Sequence, residues 1–247
     1  LMIFLELVPR NLETLYQNSK LFLDTFNDLS GINIPDIKRL PIRSHEAVQH
    51  LLNHNLTAIP HIRTQDASLS DHITAIQTLY AKGLRHVLLI SGDPDKQSAS
   101  FDSSPDMLCK ELKNAFSDLT VYCGIDPYRQ AYDDECRYAE KKLTAGADGL
   151  FSQPFFDVTL YKKYVKQFST THFFCGISPV TTEASFTYWK TVNKVPFPTS
   201  FDLSLDYNIR LAKELLACSK SYNQHAYLMP IRTPVKAYLE QVFNVLD

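Results

Sequence analysis

Short apolar runs alternate with longer amphipathic stretches along the whole chain. The runs are rich in β-branched and aromatic residues and lack strict polar alternation, which is typical of strands buried on both faces of a parallel sheet. Strands are predicted over residues 2–8, 56–62, 86–90, 120–125, 149–151, 172–177 and 226–229, with a weaker candidate over 31–35.

The stretches between these runs carry apolar residues at helical spacing. Ile73, Ile76 and Tyr80 recur at i, i+3 and i+7, and Gly83 follows where a helix C-cap is expected. Helices are predicted over residues 12–26, 45–53, 71–82, 104–116, 133–145, 158–168, 182–192, 205–218 and 234–243. Strands that alternate with helices in this way predict a parallel sheet.

Eight strand candidates in 247 residues favour a closed α/β barrel of the (β/α)8 type over an open doubly wound sheet, which is the alternative. No linker or low-complexity tract divides the chain, so residues 1–247 are predicted to form a single barrel domain without an appended regulatory domain. No apolar run reaches the roughly 18 residues of a spanning helix, and a cytoplasmic protein that binds no membrane is expected.

Charge narrows the function classes further. The chain has 25 Lys and Arg against 27 Asp and Glu, a formal charge of −2. A general nucleic-acid binder would need a basic face, so no nucleic-acid partner is expected. There is no Gly-rich phosphate loop, and the eight histidines are dispersed, so no metal site is predicted.

Polar residues follow nearly every predicted strand, at the edge where barrel enzymes place their chemistry. They are Glu6, Asp36, His61, Arg63, Ser91-Gly92-Asp93, Asp126, Ser152-Gln153, Ser178 and Arg232. This pattern predicts a site for a polar small molecule. For single residues other interpretations stay open: Glu6 as a solvated or paired carboxylate, Asp93 as a turn former and His61 as a structural histidine. Gln153, between Phe151 and Pro154, is predicted to be buried.

Three stretches together suggest a family. Residues 6–9 read ELVP, residues 89–94 read LISGDP, and residues 142–157 read KLTAGADGLFSQPFFD. They resemble the methylenetetrahydrofolate reductase family, and the third stretch is the most specific. Supporting matches are Pro60-His61, the GISPV of residues 176–180 and Ile231-Arg232.

The resemblance implies an oxidoreductase of one-carbon metabolism and methionine biosynthesis. It would bind FAD, which NADH or NADPH reduces, and it would reduce 5,10-methylenetetrahydrofolate to 5-methyltetrahydrofolate. Alternatives are a flavin-independent NAD(P)H-folate reductase of the same fold and a folate-binding accessory barrel with weakened flavin binding. The folate is the expected small-molecule partner. A homo-oligomer or an accessory electron-transfer subunit is a further possibility.

The resemblance also implies roles for individual residues. The implied catalytic residues are Glu6 and Asp93; the implied substrate-binding residues are Gln153, Arg232 and Phe186; the implied cofactor-binding residues are His61, Ser91, Gly92, Asp93, Asp126, Glu135 and Lys142. Ring opening of the folate needs a general acid, and burial beside Leu5 and Leu7 is expected to raise the pKa of Glu6 toward that role. Arg232 suits an anionic group on the substrate.

The chain departs from the family pattern mainly on the flavin side. The family's R-G-D after the fourth strand is Ser91-Gly92-Asp93 here, so an arginine is missing, and Glu135 replaces an aspartate. Phe186 stands near, not at, the place of the family's phenylalanine. The acid, aspartate and glutamine on the folate side persist.

Overall fold

Eight parallel strands pair in sequence order, and the last pairs with the first, so the sheet closes into a barrel. The computed structural model describes residues 1–92 and 100–243. The strands are β1 (Ile3–Glu6), β2 (Gly31–Ile34), β3 (Ile59–Arg63), β4 (His86–Ile90), β5 (Thr120–Ile125), β6 (Gly149–Pro154), β7 (His172–Ile177) and β8 (His225–Leu228). The predicted (β/α)8 barrel is confirmed, and the open sheet is excluded.

Helices follow the strands on the outside of the barrel. They are α1 (Leu12–Thr25), α2 (Ser44–Asn53), α3 (Leu69–Ala81), α4 (Pro105–Ala115), α5 (Tyr132–Thr144), α6 (Val158–Gln167), α7 (Glu183–Thr191), α8 (Leu205–Ser221) and α9 (Val235–Phe243). Gly83 has φ +106° and donates its N–H to the Tyr80 carbonyl, as expected for a helix C-cap. Within the described ranges, none of the helices is long and apolar enough to cross a bilayer.

Strand β6 is longer than predicted and irregular. Its register against β7 shifts between Phe151 and Pro154. At this irregularity the Ser152 hydroxyl accepts the N–H of Gly176 at 2.8 Å. A Cβ on Gly176 would lie 2.4 Å from the Ser152 carbonyl oxygen, so the two strands approach this closely only because that residue is glycine. Ser152 and Gln153 therefore belong to the strand and do not follow it.

Apolar residues fill the inside of the barrel as well as the space between sheet and helices. The inner set contains Phe4, Ile59, Leu88, Tyr122, Phe151, Phe174, Tyr227 and Met229. Phe151 and Phe174 stack with their ring centroids 4.0 Å apart. Because the interior is packed with side chains, polar chemistry is confined to the mouth formed by the carboxyl ends of the strands.

Candidate active site

Four side chains from four strands form a hydrogen-bonded cluster at the mouth: Glu6 (β1), Asn33 (β2), His61 (β3) and Tyr227 (β8). We call it the inner cluster. Glu6 lies two residues after Phe4, and His61 two residues after Ile59, so both share the inward face of these core residues. The Tyr227 hydroxyl donates to the Glu6 carboxylate and lies 3.3 Å from His61 Nε2, which is 3.5 Å from Asn33 Nδ2.

The carboxyl group of Glu6 is poised between its two protonation states. Burial raises its pKa from 4.5 to about 7, although the hydrogen bond from Tyr227 opposes the rise. The rise expected from the sequence is therefore present, with Tyr227 as a partner that the sequence did not indicate. A carboxyl group that titrates near neutral pH can donate and recover a proton during turnover.

The imidazole of His61 is neutral. Burial lowers its pKa from 6.5 to about 4, despite the opposing charge of Asp36. Nε2 of His61 lies within hydrogen-bond distance of both the Asn33 amide and the Tyr227 hydroxyl. Asn33 Oδ1 is buried without a hydrogen-bond partner in the described part of the chain. This leaves an acceptor next to Glu6 that a donor on a bound heterocycle can satisfy.

A charged network borders the inner cluster on the β2–β3 side. The Arg43 guanidinium donates to Asp36 at 2.7 and 2.5 Å and to Asp66 at 2.8 Å. Burial alone would raise the pKa of Asp36, but the hydrogen bonds from Arg43 and from the Ser44 N–H lower it. Asp36, one of the polar residues at the predicted strand ends, thus orients the Arg43 side chain.

Arg63 belongs to the same network and reaches the end of β4. Its Nε donates to Asp66 at 3.2 Å, and its side chain is 8% exposed. Gly92 has φ +92°, and a Cβ on it would lie 2.9 Å from a terminal nitrogen of Arg63. A guanidinium from β3 therefore lies beside Gly92, where the sequence lacks the family's arginine. Arg63 is one of the polar residues at the predicted strand ends, and its place two residues after the inward-facing His61 indicates that it also faces inward.

The residues expected to hold a cofactor bind one another. Glu135 is fully buried, and each of its oxygens accepts two hydrogen bonds: Oε1 from the Asp126 N–H and Arg129, Oε2 from Arg129 and Gln130. Asp126 Oδ1 accepts the N–H of Tyr128 at 2.9 Å, and burial raises the pKa of Asp126. Both carboxylates therefore shape the β5–α5 loop.

Tyr138, which the sequence analysis did not single out, lies among these residues. Its ring centroid is 3.7 Å from Lys142 Nζ and 4.7 Å from Arg129 Cζ, and its hydroxyl is 3.4 Å from Ser91 Oγ. Lys142 Nζ also donates to the Gly124 carbonyl at 2.7 Å. We call Ser91, Arg129, Glu135, Tyr138 and Lys142 the Tyr138 cluster.

The Tyr138 cluster does not fit FAD, although the family resemblance implies FAD binding by several of its residues. A dinucleotide needs unoccupied cations and acceptors, whereas an aromatic ring covers Lys142 and Arg129, and both oxygens of Glu135 are occupied. Of the other predicted cofactor ligands, His61 belongs to the inner cluster and Gly92 lies beside Arg63. FAD binding stays a prediction without a supporting contact among these residues.

The remaining predicted site residues lie in different surroundings. Gln153 is exposed, so the prediction that it is buried is wrong; the irregular end of β6 carries it to the mouth without covering it. Arg232 is exposed, four residues after the end of β8, with φ +54°. Phe186 on α7 packs against Phe197 at 4.5 Å, away from the inner cluster. Asp93 lies outside the described residues.

Comparison with solved structures supports the architecture alone. An oxaloacetate acetylhydrolase matches with a TM-score of 0.61 at 10% identity, covering 96% of this chain and 78% of that chain. A 2,3-dimethylmalate lyase matches with a TM-score of 0.61 at 8% identity, covering 98% and 81%. At such low identity the likeness is one of fold.

Sequence comparison reaches a family. A curated 5,10-methylenetetrahydrofolate reductase of Pectobacterium carotovorum subsp. carotovorum is 26% identical over 176 residues, 65% of this chain and 58% of that protein. The enzyme of the same name from Escherichia coli K12 is 25% identical over 126 residues, 49% of this chain and 43% of that protein. The chain thus aligns with about half the length of these relatives. The methylenetetrahydrofolate reductase family model matches residues 25–215. The chain belongs to the methylenetetrahydrofolate reductase family.

Proposed function

We propose that this protein reduces 5,10-methylenetetrahydrofolate to 5-methyltetrahydrofolate with NADH or NADPH as the electron source. One observation carries the proposal: a carboxyl group with a pKa near 7, Glu6, lies in a polar cluster at the mouth of a barrel from this family. Relatives from two bacteria are 5,10-methylenetetrahydrofolate reductases, which supports the same substrate here.

Glu6 supplies the proton that the reaction requires. The five-membered ring of the substrate opens when its aminobenzoate nitrogen is protonated and the bond to the bridging carbon breaks. An electrophilic iminium then remains on the pterin nitrogen, and hydride adds to its carbon. Because Glu6 is partly protonated at pH 7, it donates this proton and recovers another from solvent.

Polar groups at the same end of the barrel as Glu6 are suited to hold the folate. The exposed amide of Gln153 offers two donors and an acceptor to the edge of the pterin, and Asn33 Oδ1 offers a second acceptor. The exposed guanidinium of Arg232 suits a carboxylate of the substrate. Asp93 and Phe186 are proposed as further contacts on the family resemblance alone.

The direct test is turnover by wild-type protein and Glu6→Gln. The wild type is expected to oxidise NADH or NADPH only when methylenetetrahydrofolate is present. Glu6→Gln keeps an acceptor for the Tyr227 hydroxyl but loses the acid, so its rate should fall by about 10²–10⁴-fold with little change in folate binding. Folate binding without turnover by the wild type, under either donor, would instead favour an accessory folate-binding barrel.

Gln153→Leu tests the binding contact separately. The substitution leaves polar groups of the pterin unpaired, so folate affinity should weaken by about 1–3 kcal/mol while the thermal midpoint stays unchanged. Calorimetric titration measures this affinity. Gln167→Leu is the matched control, because Gln167 is an exposed amide at the carboxyl end of α6, away from the mouth. Equal affinity in both variants would remove Gln153 from the site.

A further inference from the structure

We propose that hydride passes directly from NADH or NADPH to the folate, without a flavin, because the Tyr138 cluster fills the place where FAD was expected. The evidence that this place is filled is the set of contacts that the chain makes with itself. The direct transfer rests on the proposed function, since it needs that substrate.

The Tyr138 ring occupies the space between two cationic side chains. It lies between Lys142 Nζ and the Arg129 guanidinium, at 3.7 and 4.7 Å, within the range of cation–π attraction. A flavin diphosphate would need such cations, but the ring covers the buried Lys142, and the Arg129 guanidinium is held by both oxygens of Glu135. Lys142 is 1% exposed and is held from its other side by the Gly124 carbonyl, so it cannot turn outward without losing that hydrogen bond.

The carboxylate of the Tyr138 cluster is already neutralised by a cation of the same cluster. Glu135 is the one fully buried carboxylate described here on α5, and Arg129 neutralises it through both oxygens. Breaking that ion pair to bind a dinucleotide would leave a buried carboxylate beside two phosphates, which is strongly unfavourable. Ser91 stands where the family has an arginine, and its hydroxyl lies near the Tyr138 hydroxyl. The cluster is therefore complete without a ligand.

Direct transfer balances without any carrier. Glu6 protonates the aminobenzoate nitrogen, the bond from that nitrogen to the bridging carbon breaks, and the iminium forms. Hydride leaves C-4 of the reduced nicotinamide and bonds to the iminium carbon, which gives the methyl group and NAD⁺ or NADP⁺. One reduced nicotinamide and one proton are consumed for each methyl group. Donor and folate must then occupy the mouth together, whereas a flavin would allow them to bind in turn.

Flavin titration tests the filled site. Wild-type protein, followed by flavin fluorescence, is expected to show no saturable FAD binding and no change in melting temperature with FAD, whereas a ligand of the folded state would raise it. Tyr138→Phe keeps the ring and should behave like the wild type. Tyr138→Ala removes the ring and should show saturable FAD binding over a concentration range in which Tyr138→Phe shows none. The same response to FAD in the two variants would overturn Tyr138 as the obstacle, and FAD copurifying with the wild type would overturn the filled site.

Isotope transfer tests the direct step. With NADH or NADPH deuterated at the transferring C-4 position, direct transfer places the deuterium in the product methyl group. A flavin route loses it, because the N–H of a reduced flavin exchanges with water. Initial rates should give intersecting double-reciprocal lines, and parallel lines indicate a ping-pong route. A methyl group carrying solvent hydrogen, or parallel lines, would overturn the proposal. If no methyl product forms with either donor, the proposed function fails, while the FAD titration still decides whether the site is filled.

Discussion

Two opposed effects set the pKa of Glu6, and one of them, the hydrogen bond from the Tyr227 hydroxyl, can be removed by substitution. Burial raises the pKa, and the hydrogen bond from Tyr227 lowers it. Tyr227→Phe should therefore move the pKa above about 7. Activity needs protonated Glu6, so it is present below this pKa and lost as pH rises through it. The alkaline limb of kcat/KM against pH should shift to higher pH.

Tyr122→Phe is the matched control for that measurement. Tyr122 belongs to the same apolar interior as Tyr227 but lies on β5, outside the inner cluster. Its substitution should leave the alkaline limb in place. If Tyr227→Phe changed the rate but not the position of the limb, Tyr227 would support the fold without tuning Glu6.

Single residues of the site were predictable where a carboxylate or an imidazole interrupts the end of an apolar run, and not where the residue type suits core packing. Glu6 and His61 are such interruptions within the last three residues of their predicted strands, which marks them as candidates for the mouth. Asn33 and Tyr227 lie within predicted strands, where a buried position usually means core packing. Only closure of β8 against β1 brings Tyr227 to Glu6, and a contact between residues 221 apart has no local pattern.

At the scale of elements, the close approach of β6 and β7 depends on Gly176. Its Cβ would meet the backbone oxygens of Ser152 and Gln153 at 2.4 and 2.7 Å, and backbone cannot yield as a side chain can. Gly176→Ala is expected to destabilise the fold by about 1–3 kcal/mol or more and to displace Gln153. Urea unfolding measures the first effect and folate affinity the second.

Gly124→Ala on β5 is the control for that substitution. There a Cβ would lie 3.2 Å from an Ile90 methyl group, which a small side-chain adjustment can relieve. The loss of stability should be clearly smaller than for Gly176→Ala. Equal losses would mean that the approach of β6 to β7 is not the constraint.

The ends of elements were predicted less well than their order. Alternating apolar runs and amphipathic stretches predicted every strand, but the prediction for β6 ended at Phe151 because Ser152 and Gln153 are polar. The register shift keeps them in the strand and lets the Ser152 hydroxyl accept a hydrogen bond from Gly176. The same irregularity explains why Gln153 is exposed and not buried.

At the scale of the whole molecule, two buried histidines make stability depend on pH. Burial lowers the pKa of His61 and of His225 from 6.5 to about 4, and the neighbouring His172 adds to the effect at His225. The Met2 N–H donates to His225 Nδ1, and His225 Nε2 lies 2.8 Å from His172 Nδ1, so the ring has no place for a second proton.

These two histidines should therefore lower the free energy of unfolding as the solution is acidified. Between pH 6.5 and 4 the unfolded chain binds protons at these rings that the folded chain does not bind, and each histidine should contribute about 2 kcal/mol of loss between pH 7 and pH 5. The carboxyl group of Glu6, whose pKa is about 7 in the folded chain, takes up a proton over the same range and offsets about one histidine's share of the loss. Urea unfolding at pH 7 and pH 5 measures the net change.

His225→Gln should remove only the contribution of His225, so its free energy of unfolding should fall by about 2 kcal/mol less between pH 7 and pH 5 than that of the wild type. Exposed His45→Gln is the control and should show the pH dependence of the wild type. A pH dependence that His225→Gln leaves unchanged would assign the acid sensitivity to other groups.

The position of Arg63 has a consequence for how such enzymes diverge. Position 91, where the family resemblance implies an arginine, carries a serine here, and the Arg63 guanidinium of the neighbouring strand β3 lies beside the next residue, Gly92. A sequence alignment shows that position 91 lacks an arginine but does not show that Arg63 lies close to it in the fold, because the two positions are far apart in the sequence. Around the closed rim of a barrel, a guanidinium beside a given backbone position can thus come from either of two neighbouring strands.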